Sequence, residues 1–426
     1  MLKALKLKGV GPAPEMDLEL SERLNVLTGD NGLGKSFVLD VAWWALTRTW
    51  AGKPARPRED ANEASISYVV RGKTRDADPV VSDFSFSDRS WSLRAGRPAM
   101  PGVVVYARID GGFSVWDPAR NYWRQVPSVG IVNDHERPPA YHFDNRSVWE
   151  GLTVGDRRAC EGLIRDWVGW QKARDPEFAM LERALKTLSV PEEPLEAGPP
   201  IRVELGEGFD TPTIKTPYDL VPITHASAGV RRVAALAYLL VWAWREHVLA
   251  ARLLRQDPER RIVLLVDEPE THLHPKWQRV ILPALLRVVG TLREDGKMQT
   301  QLITATHAPL VLASLEPLFD PEKDDLFVFE LKDGRTEVES GGWTKQGDAL
   351  GWLTSEVFGL QQARSREAER AIEAAEAFMR GDRGALPDGL RTKEAIDAEL
   401  RRLLPGHDPF WPRWIVRAAQ IGRKRA

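Results

Sequence analysis

The stretch Gly29-Asp30-Asn31-Gly32-Leu33-Gly34-Lys35-Ser36 constrains this chain more than any other. It fits G-x-x-x-x-G-K-[ST], a loop whose glycines let backbone N–H groups curl toward phosphate oxygens. Its setting suits a phosphate cradle. Leu24 to Leu27 reads as a short apolar strand, and Ser36 to Trp50 as a buried helix apolar nearly all round, with Phe37, Leu39, Val41, Trp43, Trp44 and Leu46. The helix N-terminus adds partial positive charge to the loop. Gly29, Asp30, Asn31, Gly32, Leu33, Gly34, Lys35, Ser36 and Phe37 are the candidate nucleotide-binding residues. Lys35 is expected to reach the β- and γ-phosphates of ATP, and Ser36 to hold Mg²⁺ through its hydroxyl. A glycine-rich turn ahead of a core helix is the plainer alternative; strand before and helix after argue against it.

The 426 residues suffice for roughly two to three domains. Their 43% hydrophobic and 28% charged content is that of a globular, not a disordered, chain. A net charge of −2 carries no global nucleic-acid signature. Local basic patches remain at Arg252, Arg255, Arg260 and Arg261, and at Arg417, Arg423, Lys424 and Arg425, with solvated surface the simpler reading of each. The single cysteine, Cys160, excludes an intrachain disulfide and a multi-cysteine zinc site, and reads as an inert buried thiol in a reducing cytoplasm. Met1 to Lys8 alternates lysine with apolar residues, as a strand does and a signal peptide does not. The longest apolar run, Val233 to Trp244, is too short to span a bilayer, so no membrane role is expected. The 16 tryptophans are assigned to core packing.

Residues 1–28 read as two or three strands with a turn over Gly9 to Pro14, and Lys53 to Ala64 as a loop. Ala64 to Val70 and Val80 to Leu93 alternate like antiparallel strands, and Val103 to Tyr106 is a buried strand running into a turn. Residues 145–188 read as helical, Pro191 to Pro200 as a loop, and Ile201 to Leu205 and Leu220 to Thr224 as strands. A long helix follows over 229–250, an amphipathic one over Pro275 to Arg293, and a buried strand over Leu302 to Thr306. Leu326 to Leu331 and Thr336 to Ser340 form a hairpin around Asp333-Gly334. The remainder, 346–426, is helical, with Ala368, Ile372, Ala375 and Met379 on one face and Ile396, Leu400, Leu403 and Leu404 on another.

Ile262 to Val266 is five consecutive aliphatics, the pattern of a central parallel strand, and it ends in Asp267-Glu268. This is a Walker B pattern. Asp267 is expected to orient Mg²⁺, and Glu268 to polarise the attacking water. Asp267-Glu268-Pro269-Glu270-Thr271-His272-Leu273-His274-Pro275 resembles the D-E-P-E-x-x-L-H-P stretch of ABC/SMC-like, AAA-type ATPases of the OLD and AbiEii-type group. Thr304-Ala305-Thr306-His307-Ala308-Pro309 is similar to their switch-histidine motif, and Ser227-Ala228-Gly229-Val230-Arg231-Arg232 resembles a degenerate ABC signature. Four motifs stand in the order of an ABC-type head.

The resemblance implies an α/β fold. Its ABC-type P-loop ATPase head would span 1–345, with a mixed sheet, flanking helices and a helical lobe at about 143–200 inserted between Walker A and signature. A C-terminal helical tail would span 346–426. It also implies two heads sandwiching two ATP molecules, as a homodimer or a higher assembly. Ser227 and Gly229 of one subunit would then face the γ-phosphate held by Gly29 to Ser36 of the other. His307 would sense that phosphate or position the water, and Thr271 to His274 would line the seam. The signature lacks the leading Leu, second Gly and Gln of transporter ATPases, with Val230 in the last place, which argues against a transporter subunit. No Q-loop glutamine follows Val103 to Tyr106; Arg108 and Asp110 stand there instead. His272 and His274 alone do not make a zinc site.

Residues 346–426 contain no Asp-x-Asp, and no long coiled coil separates Lys35 from Ser227. A nuclease is therefore expected as a separate polypeptide, and a tethering role is disfavoured. The tail is similar to those on ATPase subunits of Septu-type and retron-associated anti-phage systems, which pair with a nuclease. Phe410, Trp411 and Trp414 are candidates to dock such a partner, or to pack on their own head domain. Two other readings stand beside a defence ATPase: a RecF-like repair ATPase acting directly on DNA, and a slowly turning nucleotide-gated scaffold.

Overall fold

The computed structural model describes residues 1–72, 78–93, 100–121, 137–206, 208–293 and 295–423, the last helix with side chains to residue 417. The chain divides into two compact units, Met1–Ala349 and Leu350–Ala426. The first begins with β1 (Leu2–Lys8), β2 (Glu15–Glu19), β3 (Leu24–Gly29) and α1 (Lys35–Thr47). Next come β4 (Ser65–Val70), β5 (Val80–Ser85), β6 (Ser90–Trp91), β7 (Val103–Ala107), β8 (Phe113–Trp116) and β9 (Tyr141–Phe143). A lobe follows of α2 (Asn145–Glu150), β10 (Leu152–Val154), β11 (Arg157–Cys160), α3 (Leu163–Ala173), α4 (Pro176–Leu188), β12 (Glu196–Ile201), β13 (Thr211–Lys215) and β14 (Leu220–Pro222). The chain then returns through α5 (Ala228–Leu253), β15 (Arg261–Asp267), α6 (Pro275–Val288), β16 (Gln299–Ala305), α7 (Pro309–Leu315), β17 (Asp324–Lys332) and β18 (Arg335–Ser340).

The main sheet is mixed, in the order β18-β17-β3-β16-β15-β7-β8-β9. Its five middle strands run parallel. Every residue of β15 is buried, with parallel neighbours on both sides, which is why its aliphatic run does not alternate. Register brings the strand exits into line: Asp267 pairs with Ala305, Ala305 with Leu27, and Val266 with Ala107. The loops that leave these exits carry the P-loop, the two acids and the switch histidine. That is where open α/β sheets place ligands.

A second, antiparallel sheet, β2-β1-β4-β5-β6, shares one hydrophobic core with α1 and the main sheet. Helix α1 meets apolar surface on both sides, so its residues are apolar nearly all round. Helix α5 is long and apolar enough to cross a membrane by length and composition, but 72% of its most apolar window is buried inside the protein, as in a core helix. Its Tyr238 donates to Asp166 Oδ2 (2.6 Å) and its hydroxyl lies 2.9 Å from Cys160 Sγ; burial pushes that thiol up to about 12, so it is inert at neutral pH. His247 Nε2 accepts from the Glu259 N–H (2.8 Å), which leaves Nδ1 to donate to Asp117 (2.7 Å).

The inserted lobe is not purely helical. A hairpin, β10–β11, interrupts it, and β12 occupies the second half of the expected Pro191–Pro200 loop. β12 pairs with β13 across a register shift between Gly198 and Ile201, which accommodates Pro199 and Pro200, neither able to donate a ladder bond. The expected strand over Ile201 to Leu205 ends at Ile201, and Leu205 is fully exposed. The helix begun at Pro275 stops at Val288 and finishes in a 3₁₀ turn. Of the basic residues proposed for nucleic acid, Arg261 is buried and bonded to Glu259 and the Met100 carbonyl. The Arg423 side chain, Lys424 and Arg425 lie outside the described residues.

The C-terminal unit holds α8 (Ala349–Leu353, begun in the last residue of the first unit), α9 (Arg366–Arg380), α10 (Lys393–Leu403) and α11 (Phe410–Arg423). Ala371, Ile372, Ala375, Ile396, Leu400, Phe410 and Trp414 form its core, with Trp411 packed against it. Asp408 Oδ1 accepts from the Phe410 N–H (2.9 Å) and from Arg364 Nη2 (3.0 Å), and Trp414 Nε1 donates to Asp397 (2.9 Å). The Phe410 and Trp414 side chains thus fill the core of the C-terminal unit itself. Trp414→Ala should cost this unit about 3–5 kcal/mol. Limited proteolysis is expected to show cleavage after residue 350 at protease levels that leave the wild-type tail intact. Equal resistance would mean that Trp414 is not a core residue.

Candidate functional site

The P-loop leaves β3 at Gly29, whose φ is 122° and where a Cβ would stand 2.0 Å from the Phe329 carbonyl oxygen. Only glycine fits. Gly34, also left-handed, opens α1. Between them Asp30, Asn31 and Gly32 are exposed and Leu33 is buried. Lys35 is buried, and its Nζ donates to the carbonyls of Gly29 (2.8 Å) and Asp30 (2.6 Å), which holds the ammonium inside the loop's curl. Burial lowers its pKa, opposed by the Glu268, Asp30 and Asp267 carboxylates. Phe37 turns away from the loop: its ring packs on Gly11 and the core.

Asp267 ends β15 with its side chain buried. Burial is the main cause lifting its carboxyl to about 6, against a hydrogen bond from Ser36 that lowers it; Glu268 and Asp40 push it further up. Its Oδ1 has no hydrogen-bond partner among the described residues. A desolvated carboxylate with a bare oxygen beside a hydroxyl fits a hard divalent cation such as Mg²⁺. No cluster of three or more His, Cys, Asp or Glu side chains is assembled among the described residues. A cation here would therefore take Asp267 and Ser36 from the protein and complete its shell with water and phosphate. Asp40, one helical turn beyond Ser36, accepts from the Tyr106 hydroxyl (3.1 Å) and adds negative charge nearby.

Glu268 leaves the sheet with a left-handed φ of 47°, its N–H donating to the Ala305 carbonyl (3.0 Å). Its carboxylate is hydrogen-bonded to His307 Nε2 through one oxygen and accepts from Thr271 Oγ1 (3.1 Å) through the other. His307 is anchored in turn: its backbone N–H donates to Glu270 Oε1 (3.1 Å), as does Thr306 Oγ1 (2.6 Å).

Ser227 N-caps α5, its hydroxyl accepting from the Val230 N–H (3.3 Å), and is exposed. Gly229 is buried, and a Cβ there would stand 2.8 Å from the His272 carbonyl oxygen. Close packing therefore requires this glycine. His274 N-caps α6 by accepting from the Lys276 N–H (3.3 Å). Arg108 braces the turn after β7 by donating to the Ala51 (3.0 Å) and Phe143 (3.1 Å) carbonyls, so it does not stand in for the missing Q-loop glutamine. Arg232, which sequence reasoning passed over, donates to the carbonyls of Asp267 (2.9 Å), Glu268 (3.2 Å) and Ile109 (3.2 Å). It clamps the first turn of α5 to the exits of β15 and β7, and nothing in the sequence separated it from Arg231.

This fold and this site resemble those of ABC/SMC-like P-loop ATPases. The chain is similar to the Septu protein PtuA of Bacillus thuringiensis, at 20% identity over 372 residues covering 86% of each protein. A family profile described as "AAA domain, putative AbiEii toxin, Type IV TA system" matches residues 218–313, the stretch holding Ser227, Asp267, Glu268 and His307. Similar solved structures include an SMC head domain from Thermotoga maritima (15% identity, 80% of this chain and 99% of that one, TM-score 0.38). Another is the recombination mediator RecF (13% identity, 79% and 98%, TM-score 0.36).

The raised carboxyl of Asp267 has a consequence for stability. Its folded pKa lies above the unfolded value, so at pH 7 and above the fold carries a desolvation penalty that shrinks as pH falls through about 6 toward the ordinary carboxylate range. Asp267→Asn should therefore raise Tm in EDTA at pH 8, by less at pH 5, while abolishing Mg²⁺-dependent hydrolysis. Thermal scans at the two pH values check this; a Tm at pH 8 below wild type would show that the carboxylate is stabilised rather than penalised.

Proposed function

We propose that this protein hydrolyses ATP slowly, as a switch in bacterial anti-phage defence. It would dimerise around ATP in the cytoplasm and gate a separate effector, a nuclease. The observation that carries the reading is the hydrogen-bonded Glu268–His307 pair at the same sheet edge as Lys35, Ser36 and Asp267. The similarity to a Septu protein along most of both chains supports the defence setting.

In this mechanism the P-loop amides and the Lys35 ammonium hold the β- and γ-phosphates. Ser36 and Asp267 would hold Mg²⁺, which would supply charge neutralisation of the phosphate oxygens. Glu268 accepts a proton from the attacking water as general base, and its bonds to His307 and Thr271 fix the direction of its lone pairs. Ser227, on the exposed turn of α5, would meet the γ-phosphate held by a second copy.

Lys35→Ala should abolish nucleotide binding, and Glu268→Gln should retain it while slowing turnover by about 10²-fold or more. Light scattering of the Glu268→Gln protein with ATP and Mg²⁺ is expected to show a dimer that wild type loses on hydrolysis. A monomer under those conditions would sink the sandwich mechanism. Tagged Glu268→Gln protein expressed from its native operon should retain a stoichiometric nuclease; recovery of DNA or repair factors alone would redirect the function to DNA.

A further inference from the structure

The switch segment after β16 is gripped from an unexpected side. Glu270 lies on the loop leaving β15, three residues past Asp267, and is buried with 8% of its surface exposed. Its Oε1 accepts two hydrogen bonds, from Thr306 Oγ1 (2.6 Å) and from the His307 N–H (3.1 Å). Thr306 is fully buried, and its hydroxyl oxygen also accepts from the Ala308 N–H (3.1 Å). The loop bearing Glu270 is itself tied down, since the Glu270 carbonyl accepts from Leu273 (2.9 Å) and the Glu268 carbonyl from Thr271 (3.1 Å). His307 is therefore held twice by one short loop: Glu268 takes the ring at Nε2, and Glu270 takes the backbone.

Such a grip is expensive. Burial raises the Glu270 carboxyl against the hydrogen bonds that lower it, and Oε2 has no partner among the described residues. An apolar side chain would fill the space without that desolvation cost. What the carboxylate supplies is a bond no apolar residue makes, to the backbone of the histidine whose ring meets Glu268.

We propose that Glu270 is a positioning residue for hydrolysis: by fixing the Thr306–His307 backbone it sets the His307 ring against Glu268, and so aims the base at the attacking water. The proposal rests on the ATPase reading above, but its structural half is testable without turnover. Glu270 reaches the segment after β16 through two bonds, to Thr306 Oγ1 and to the His307 N–H.

The test compares Glu270→Ala, Glu270→Gln, His307→Ala and Glu270→Ala/His307→Ala. It reads single-turnover ATP hydrolysis, ATP affinity and hydrogen exchange of the peptide spanning residues 304–309. Glu270→Ala should lower the hydrolysis rate by about 30-fold or more while ATP affinity stays within about twofold, and Glu270→Gln, which keeps the acceptor oxygen, should retain most of the rate. In the His307→Ala background, Glu270→Ala should cost no further rate, because its effect passes through that ring. The His307 amide should exchange about tenfold faster in Glu270→Ala whether or not the protein turns over. Losses that multiply in the double variant, or unchanged exchange, would overturn the proposal. A wild-type protein without hydrolysis would instead overturn the ATPase reading, and exchange would still decide the role of Glu270. Should Glu270→Ala fail to fold, Thr306→Val removes the bonds of the Thr306 hydroxyl to Glu270 and Ala308 and leaves the one from the His307 N–H to Glu270. It should give a smaller rate loss that likewise vanishes in the His307→Ala background, and a loss that persists there would count against the proposal.

Discussion

Everything at this site depends on the register of one parallel ladder. β3, β16, β15 and β7 end level with one another, so Gly29, Thr306, Glu268 and Arg108 leave the sheet at the same edge although the chain visits them far apart. Parallel pairing forces long crossovers, and the crossovers here are themselves functional: α1 carries Ser36 and Asp40, and α6 begins at the loop holding Glu270 to His274. A slip of one residue in β15 would send Asp267 to the other face of the sheet and remove its contact with Ser36. All seven β15 residues are buried, and the charged ends, Arg261 and Asp267, flank its five aliphatics and mark the register.

The same edge concentrates buried charge. Lys35, Asp267, Glu270 and Arg232 are all held largely out of water, and burial works against the charged form of each. Each is stabilised differently. Lys35 and Arg232 take backbone carbonyls, Glu270 takes a hydroxyl and an amide, and Asp267 keeps an oxygen bare. Glu270 and Asp267 each keep one oxygen without a partner among the described residues, and only Asp267 has the Ser36 hydroxyl beside it, where a cation would complete the group.

Legibility in the sequence followed the range of the interactions. The P-loop, the β15 run and the Asp333-Gly334 hairpin declare themselves within ten residues, through glycine geometry, aliphatic burial and turn chemistry. The hairpin at 152–160 did not, because Leu152, Val154 and Cys160 sit between helical stretches and offer only two short strands. β12 was hidden by its two prolines, which mark a loop by propensity and are tolerated here only at a register shift. Asp40, Arg232 and Glu270 were illegible for another reason. Each looks like an ordinary charged residue on a helix or loop, and its role exists only through partners on other strands. The place of the aromatic tail stayed open in the sequence because exposure cannot be read from residue type: Phe410 and Trp414 fill a core that α9 and α10 help to build.

Helix α5 joins these observations into a mechanical argument. Its first turn has two faces. Ser227 and Arg231, four residues apart, share an exposed face. Arg232 lies on the other and grips the carbonyls of Asp267 and Glu268, while Gly229 lets the turn sit directly on the His272 backbone. A force on the exposed face is therefore delivered, through one guanidinium and one glycine contact, to the backbone that carries Asp267 and Glu268, the proposed cation ligand and general base. No long lever is needed, because the signature turn and the Walker B exit are bonded to each other. Displacing that turn by the length of a hydrogen bond would break the clamp before it disturbed the core, since the rest of α5 is held by the buried run Val233 to Trp244. The first turn is thus the part of the helix best able to move while the rest stays in place, and it is the part that meets both the outside and the hydrolytic acid.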